Sequence, residues 1–306
     1  MNRALCLAGR MQVAFCQILA TVCVVTASLS AAELTLTPSA DTSFHENAPD
    51  NNMGLNVWVS AGASGGPSPV RALFQFDLAG IPAGATIVSA QLKLTVTGIP
   101  SVGDADSTFG LHRLNQSWGE GQGVGSLGSP AQNGEATWNA RFFPETLWSA
   151  PGGAAPADFA SAESSTAPIS GLGDYTFPTT PAIVADVQSW VDSPDSNHGW
   201  ILISESEDVS RTARRFGSRE SSSPPQLTVT FTTPLRIDSI SSGENGLQIQ
   251  FTAEPGFHYT VEFKETLEAT EWSTLAEFPP ESQTTTQVAF DSIDQPQRFY
   301  RVVRSP

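Results

Sequence analysis

The chain has 306 residues, and its hydrophobic fraction of 40% is large enough for a folded core, which excludes global disorder. Charged residues make up only 15%, while 25 Gly and 22 Pro interrupt the sequence, so short strands and turns are expected rather than long exposed helices. A formal net charge of −16 argues against a nucleic-acid-binding protein, which would carry a basic face.

The N-terminus has the features of a secretory signal peptide. Arg3 and Arg10 form a positive segment, an apolar run covers residues 13–29, and small residues precede a cleavage site after Ala32. The alternative, an N-terminal membrane anchor, would need a longer apolar run. We therefore expect residues 1–32 to be removed and the mature protein to be secreted or held at the cell surface, with no membrane span. All three cysteines lie in this segment, so thiolate chemistry is not expected in the mature chain.

Alternating apolar residues predict strands through the first part of the mature chain. The predicted strands cover residues 56–59, 73–78, 91–97, 199–204 and 226–232. Residues 181–191 have apolar side chains at helical spacing instead, which predicts a short helix packed on a sheet. Gly-, Ser- and Pro-rich segments at 119–135 and 149–174 predict long loops, which are usually functional or disordered. The pattern is typical of an all-β fold, and predicts an antiparallel jelly-roll-like β-sandwich over residues 33–233.

A second β-rich domain is predicted after a boundary near Thr233-Pro234. Alternating strands recur at residues 247–251, 259–263 and 299–303. About 70 residues is the size of a small sandwich, so residues 234–306 predict a smaller immunoglobulin- or fibronectin-like domain.

Ordered short strings in the larger predicted domain carry a family resemblance. They are Ala40-Asp41-Thr42, Asn51-Asn52-Met53-Gly54, Phe74–Leu78 with Ile81–Ala85, Ser117-Trp118-Gly119-Glu120, Ala136-Thr137-Trp138-Asn139, Asp186-Val187 with Trp190, and Phe216–Glu220. Together they resemble the DNRLRE (disaggregatase-related) domain, a family 96 carbohydrate-binding module, over roughly residues 35–232. The resemblance implies a secreted or cell-surface β-sandwich that binds an acidic polysaccharide such as alginate. The C-terminal strings YTVEFKETL and QRFYRV are similar to small fibronectin-type domains of secreted bacterial proteins.

Aromatic rings and guanidinium groups are the side chains expected to hold an acidic sugar. If Val57 and Val59 face the core, Trp58 points outward and offers its ring to a sugar. Trp148 lies in a predicted loop and is the second aromatic candidate. The tryptophans expected in the core instead are Trp118, Trp138 and Trp190.

Basic residues are concentrated in one short segment of an otherwise acidic domain. If Phe216 points into the core, strand alternation places Arg211, Arg215 and Arg219 on the opposite face, where they could bind uronate or sulfate groups. The structural alternative is that Arg215 and Arg219 form ion pairs at the sheet edge. The candidate partners are Glu220, Asp186 and Glu205.

An oxygen-rich stretch near the start of the mature chain suggests a structural calcium site. Asp41, Glu46 and Asp50 are the candidate ligands, because Ca²⁺ takes six to eight oxygen ligands. Asx turns would explain the same residues without a metal. No other cofactor is expected.

The favoured function is a secreted, non-catalytic protein that recognises an acidic, uronate-type polysaccharide. A structural or adhesive surface protein without affinity for soluble glycans is the alternative. A polysaccharide-degrading enzyme is the least favoured, because the sequence has no zinc-protease, serine-hydrolase, P-loop or dinucleotide-binding motif. The expected partner is therefore a polysaccharide and not a nucleic acid.

Overall fold

The computed structural model describes residues 31–101, 105–233, 235, 237–243, 246–292 and 297–305. Two compact units are present, one spanning Ala31–Pro234 and the other containing Leu235–Pro306. The predicted signal peptide, apart from Ala31 and Ala32, lies outside the described residues. Within the described part of the chain, no helix is both long enough and apolar enough to cross a membrane.

The larger unit consists of antiparallel strands and one α-helix. Its strands are β1 (Ala32–Leu36), β2 (Ala40–His45), β3 (Asn51–Asn52), β4 (Trp58–Ala63), β5 (Pro69–Gln75), β6 (Thr86–Gly98), β7 (Ser107–Arg113), β8 (Ser129–Pro130), β9 (Ala140–Phe142), β10 (Thr146–Leu147), β11 (Ser165–Ile169), β12 (Gly173–Phe177), β13 (Trp200–Ser204), β14 (Arg214–Gly217) and β15 (Gln226–Thr232). Helix α1 spans Pro181–Asp192, and one 3-10 turn follows at Pro194–Ser196. The all-β prediction is confirmed.

Most of these strands form one curled sheet. One part has the order β1-β15-β6-β14-β4, and it continues through β5, β13, β7 and β11. Strand β4 joins the two parts, because Trp58–Ala61 pair with β14 while Gly62 and Ala63 pair with β5. Gly62 has φ 116°, and a Cβ there would lie 2.7 Å from the Ala213 backbone, so glycine is required at this bend.

Strand alternation explains the main core of the larger unit. Phe216 of β14, Phe74 of β5 and Trp200 of β13 are fully buried in one hydrophobic cluster. The predicted helix is confirmed, and it adds Ile183, Val187 and Trp190 to this core. Its N-terminus is capped by Thr180, whose hydroxyl accepts from the Ile183 amide.

The long segment between β7 and β11 packs on the other side of this sheet. Trp118, Trp138, Trp148 and Phe159 form a second cluster with β-strand residues that include Phe44. Much of the segment predicted as loop is therefore an ordered layer with its own hydrophobic contacts. The expected core positions of Trp118, Trp138 and Trp190 are confirmed by their burial.

A fully buried asparagine holds part of this layer in place. The Asn52 side chain donates to the carbonyls of Glu120 and Ala136 and accepts from the amides of Gly54 and Gly123. All four hydrogen-bonding positions of the amide group are thus used, which explains how a Gly-rich segment remains ordered.

The smaller unit is a pair of three-stranded antiparallel sheets. Its strands are β16 (Ile237–Gly243), β17 (Gly246–Ala253), β18 (His258–Lys264), β19 (Ser273–Phe278), β20 (Thr285–Asp291) and β21 (Phe299–Ser305). The sheets have the orders β16-β17-β20 and β19-β18-β21. Ile249 and Phe251 from one sheet share a core with Tyr259 and Val261 from the other. This arrangement agrees with the predicted small β-sandwich.

Candidate anion-binding groove

A groove with a volume of about 580 Å³ lies where the end of β2, the turn between β4 and β5, and strand β14 meet. The volume is typical of sites for small molecules. Prominent lining side chains are the apolar Val70, Ile99 and Leu127 and the polar His45, Ser60, Arg211 and Arg215. The groove therefore combines apolar walls with three arginines, of which Arg211 and Arg215 are exposed and Arg214 is buried.

Arg215 reaches the groove because it points away from the core. Phe216 is fully buried between the layers, and Arg215, next to it on β14, is exposed on the opposite face. Arg214 lies two residues before Phe216, so alternation places it on the same face, and it is fully buried. A register shift between Arg215 and Phe216 interrupts the pairing of β14 with β6.

Trp58 supports Arg215 from the neighbouring strand. Trp58 pairs with Gly217, which places Arg215 at the diagonal position, and the guanidinium carbon lies 4.5 Å from the centre of the Trp58 ring. Stacking occupies a face of the guanidinium and leaves its N–H groups, which lie in the plane, able to donate.

The position of Trp58 corrects part of the sequence interpretation. Val57 does not face the core, because it precedes β4 and is 52% exposed. Trp58 is half-buried, and Arg215 lies over its ring. The Trp58 ring is therefore partly covered by Arg215 and does not point freely outward as the alternation of Val57 and Val59 predicted.

Arg211 enters the groove from a tight turn. It has φ 71°, in the left-handed region that residues with a side chain rarely adopt. Its amide donates to the Ser64 carbonyl over 2.8 Å, and its own carbonyl accepts from the Ala105 amide over 3.1 Å. Buried Arg214 completes the turn, because its guanidinium donates to the carbonyls of Arg211 and Thr212. The turn thus holds Arg211 in a strained conformation beside Arg215.

The other basic residues of this unit are used within the fold. The larger unit has eight Arg and Lys residues against twenty Asp and Glu. Six of the eight have polar partners: Arg71 with Glu207, Lys93 with Asp174, Arg113 with Asp186, Arg219 with Glu120, Arg141 with the Ser117 carbonyl, and Arg214 with the turn carbonyls. The guanidinium groups of Arg211 and Arg215 have no hydrogen-bond or ion-pair partner among the residues that the structure describes.

His45 lies beside these two arginines. Its side chain lines the groove, the residue is 8% exposed, and Nε2 is buried without a hydrogen-bond partner within the described chain. Burial, together with the positive charge of Arg215, lowers the pKa of His45 to about 4. The imidazole is therefore neutral at pH 7.

Sequence reasoning did not single out His45 as a site residue. It is the last residue of β2 and pairs with Val70 of β5, whereas the arginines are more than 160 positions further along the chain. Only the pairing of β2, β4, β5 and β14 brings these side chains together, and no local pattern encodes it.

Arg219 does not belong to the groove, contrary to the prediction. Its Nε lies 2.9 Å from Glu120 Oε1 and 2.7 Å from Glu220 Oε1, and Nη1 donates to the Ser39 carbonyl. Strand alternation fails here because β14 ends at Gly217 and the chain then turns. The structural alternative is correct for Arg219 and Glu220.

Trp148 is also not a surface platform. It is 4% exposed, its ring centre lies 5.9 Å from that of Phe44, and its Nε1 donates to the Thr137 carbonyl. It contributes to the wall of a second cavity of about 370 Å³, which Asp50 and Asn139 also line. Because its ring is buried in the second hydrophobic cluster, Trp148 offers no broad ring face to a sugar.

The three predicted calcium ligands lie in different surroundings. Asp41 is buried and accepts from the Arg219 amide, Asp50 accepts from the Asn139 side chain, and Glu46 is exposed. Among the described residues, no three His, Cys, Asp or Glu side chains are close enough to hold a metal ion. The predicted cluster of Asp41, Glu46 and Asp50 is therefore not formed.

Comparison with known proteins adds no further assignment to this geometry. No family model matches the chain, and no curated protein is significantly similar to it. The fold and the groove define an all-β protein with a candidate anion-binding site.

Proposed function

We propose that the larger unit binds an acidic, uronate-type polysaccharide in this groove, and that the protein is a secreted or cell-surface, non-catalytic carbohydrate-binding protein. The observation that carries the proposal is the pair of guanidinium groups, Arg211 and Arg215, which have no polar partner within the described chain and line the same groove.

The chemistry of the lining fits a sugar acid. A guanidinium group donates two parallel hydrogen bonds to a carboxylate, and such charge-assisted bonds are about twice as strong as neutral ones. The apolar side chains of Val70, Ile99 and Leu127 offer surface for the C–H groups of a sugar ring, and the Ser60 hydroxyl can bond to a sugar hydroxyl.

The acidity of the unit limits where a polyanion can bind. With twenty acidic and eight basic residues, most of the surface repels a uronate chain. Attraction is then confined to the groove, and it weakens when the ionic strength is raised. The ordered strings that resemble the DNRLRE domain and the predicted signal peptide support the same function.

A titration with substitutions of single charges tests the proposal. Binding of an alginate tetrasaccharide to the protein is measured by calorimetry at 50 mM and 500 mM salt, with a neutral tetrasaccharide for comparison. Arg211→Gln and Arg215→Gln are each expected to weaken binding about 10- to 100-fold, because each removes a charge-assisted contact.

Lys93→Gln is the matched control. It also removes one positive charge, but Lys93 pairs with Asp174 on β6 and β12, and it does not line the groove. This variant is expected to bind like the unchanged protein. Equal weakening by all three substitutions would show that binding depends on general charge attraction and not on the groove. Failure of every acidic glycan to bind would support the structural or adhesive alternative.

A further inference from the structure

The surroundings of His45 differ from those of a histidine that serves only as a core residue. The ring is nine-tenths buried, yet Nε2 has no acceptor or donor among the described residues. A buried polar atom without a partner destabilises the fold, so such an atom in the wall of a groove suggests a function. Val70, its partner on β5, offers only an apolar side chain.

The charged side chains that line the described part of the groove are all positive. Arg215 on β14 and Arg211 in the preceding turn line it with His45, together with buried Arg214. The described lining includes no Asp or Glu side chain. Two acidic residues lie near these groups but outside the lining: exposed Glu46 follows His45, and exposed Asp106 lies 3.6 Å from Arg214.

This environment opposes a positive charge on the imidazole until an anion arrives. A carboxylate or sulfate between Arg211 and Arg215 would cancel part of their field and would attract a proton to His45. The protonated ring could then donate from both nitrogens, and its positive charge would bind the anion more tightly.

We propose that binding of an anionic sugar in the groove is coupled to protonation of His45, which makes the groove a site whose affinity increases as the pH falls. This inference depends on the proposed function, because it concerns the same ligand and the same groove. It adds a residue, His45, that selects for anionic groups and senses pH.

The coupling has a measurable size. Each unit by which the ligand raises the pKa of His45 corresponds to a factor of ten in affinity at a pH below both values. We expect affinity to rise about tenfold between pH 7.5 and pH 5, where the carboxylates of a uronate are already ionised. A sulfated tetrasaccharide, whose charge is constant over this range, should show the same dependence.

Proton uptake during binding is the direct test. Calorimetric titrations at pH 5.5 in buffers of different ionisation enthalpy give the number of protons taken up with the ligand. We expect clear proton uptake by the unchanged protein and none by His45→Gln, whose affinity should no longer depend on pH between 7.5 and 5. His198→Gln is the control, because His198 does not line the groove, and it should behave like the unchanged protein.

A measurement on the unchanged protein makes the test independent of the variants. NMR titration of the His45 ring, with and without the sulfated tetrasaccharide, should show a pKa that rises by about two units when the ligand is bound, which is the rise that a tenfold gain in affinity at pH 5 requires. Binding without proton uptake, and with an unshifted His45, would overturn the coupling and leave the proposed function intact. Failure to bind any acidic glycan between pH 5 and pH 7.5 would overturn both.

Discussion

Arg211 is a residue at which stability and ligand binding make opposite demands. Its φ of 71° disfavours any residue with a Cβ, and glycine would adopt it without strain. The turn is fixed by hydrogen bonds from its backbone and from Arg214, so the conformation does not depend on the Arg211 side chain. A long cationic side chain at such a position is what the proposed binding of an anion in the groove requires.

Arg211→Gly is therefore expected to separate the two properties. The free energy of unfolding should stay constant or increase by about 1 kcal/mol, because the strained backbone is relieved. Affinity for the acidic tetrasaccharide should fall by about tenfold or more. Denaturant titration and calorimetry measure the two effects, and Arg211→Ala should lose affinity without gaining stability. A large loss of stability in the glycine variant would show that the Arg211 side chain holds the turn.

Asp41 is a buried carboxyl group in an acidic cluster. Burial raises the pKa of Asp41 to about 8, and the charges of Glu220 and Glu120 act in the same direction. The Arg219 amide donates to Asp41 Oδ2 over 2.7 Å and partly opposes this shift. The native state therefore holds a proton that the unfolded chain, with a pKa of 3.8 for this group, releases.

The stability of the protein should consequently depend on Asp41 at alkaline pH. The free energy of unfolding decreases as the pH rises from about 4 to about 8, and the loss is complete above the folded-state pKa. Asp41→Asn keeps an acceptor for the Arg219 amide and should be more stable than the unchanged protein at pH 9 by more than about 2 kcal/mol, with a smaller difference at pH 5. Exposed Asp195→Asn is the control and should not alter the pH dependence. An equal effect of Asp41→Asn at both pH values would contradict this account.

At the scale of elements, the sequence predicts regular strands and the helix well. Residues 226–232 were expected to be a strand and form β15, and the helix expected at residues 181–191 is α1. Both predictions are correct because the spacing of apolar residues in each element reflects the burial of one of its faces. The same rule places Arg215 correctly. Arg211 lines the same groove, as predicted, although it lies in a turn before β14, and the rule fails for Arg219, which lies beyond the end of β14.

The layer formed by the segment between β7 and β11 was less predictable, because its sequence has no regular spacing of apolar residues. Its order comes from separated groups that meet only in three dimensions, such as Asn52 with Gly123, or Arg71 with Glu207. Arg71 also donates to the Gly152 and Gly153 carbonyls and lies 5.5 Å from the centre of the Trp138 ring. A Gly-rich composition therefore indicates missing regular structure here, and it does not indicate missing packing.

Substitution of the two predicted sugar-binding tryptophans should distinguish their roles. Trp148→Ala removes a buried ring and should lower the free energy of unfolding by about 3–5 kcal/mol, with no change in the affinity of the folded protein. Trp58→Ala should destabilise the protein less and weaken ligand binding, because Arg215 loses its support. Thermal unfolding and calorimetry below the transition provide the measurements. A specific loss of affinity in Trp148→Ala would restore Trp148 as a binding residue.

At the scale of the whole molecule, each compact unit has its own core. The described lining residues of the groove all belong to the larger unit, while Val261 and Tyr259 are buried in the smaller one. The smaller unit also buries Asp291, which accepts from Tyr300 and from Arg298. Substitutions that alter ligand binding in the larger unit should therefore differ from those that alter the stability of the smaller unit.

Val261→Ala tests this separation in the full chain. Loss of two buried methyl groups should lower the free energy of unfolding of the smaller unit by about 1–3 kcal/mol, while affinity for the acidic tetrasaccharide stays constant. Hydrogen exchange followed by mass spectrometry reports the two units separately, and exposed Val88→Ala is the control. Lost affinity in Val261→Ala would show that the smaller unit contributes to binding.

The proposed function places an anionic sugar between Arg211 and Arg215, beside His45. The most direct measurement is a crystal structure of the protein with an alginate tetrasaccharide, determined near pH 5. We predict a sugar carboxylate within hydrogen-bond distance of both guanidinium groups, with the Arg215 side chain still stacked on Trp58. A tetrasaccharide bound elsewhere, such as at the cavity beside Asp50 and Trp148, with the groove filled only by solvent, would contradict the account.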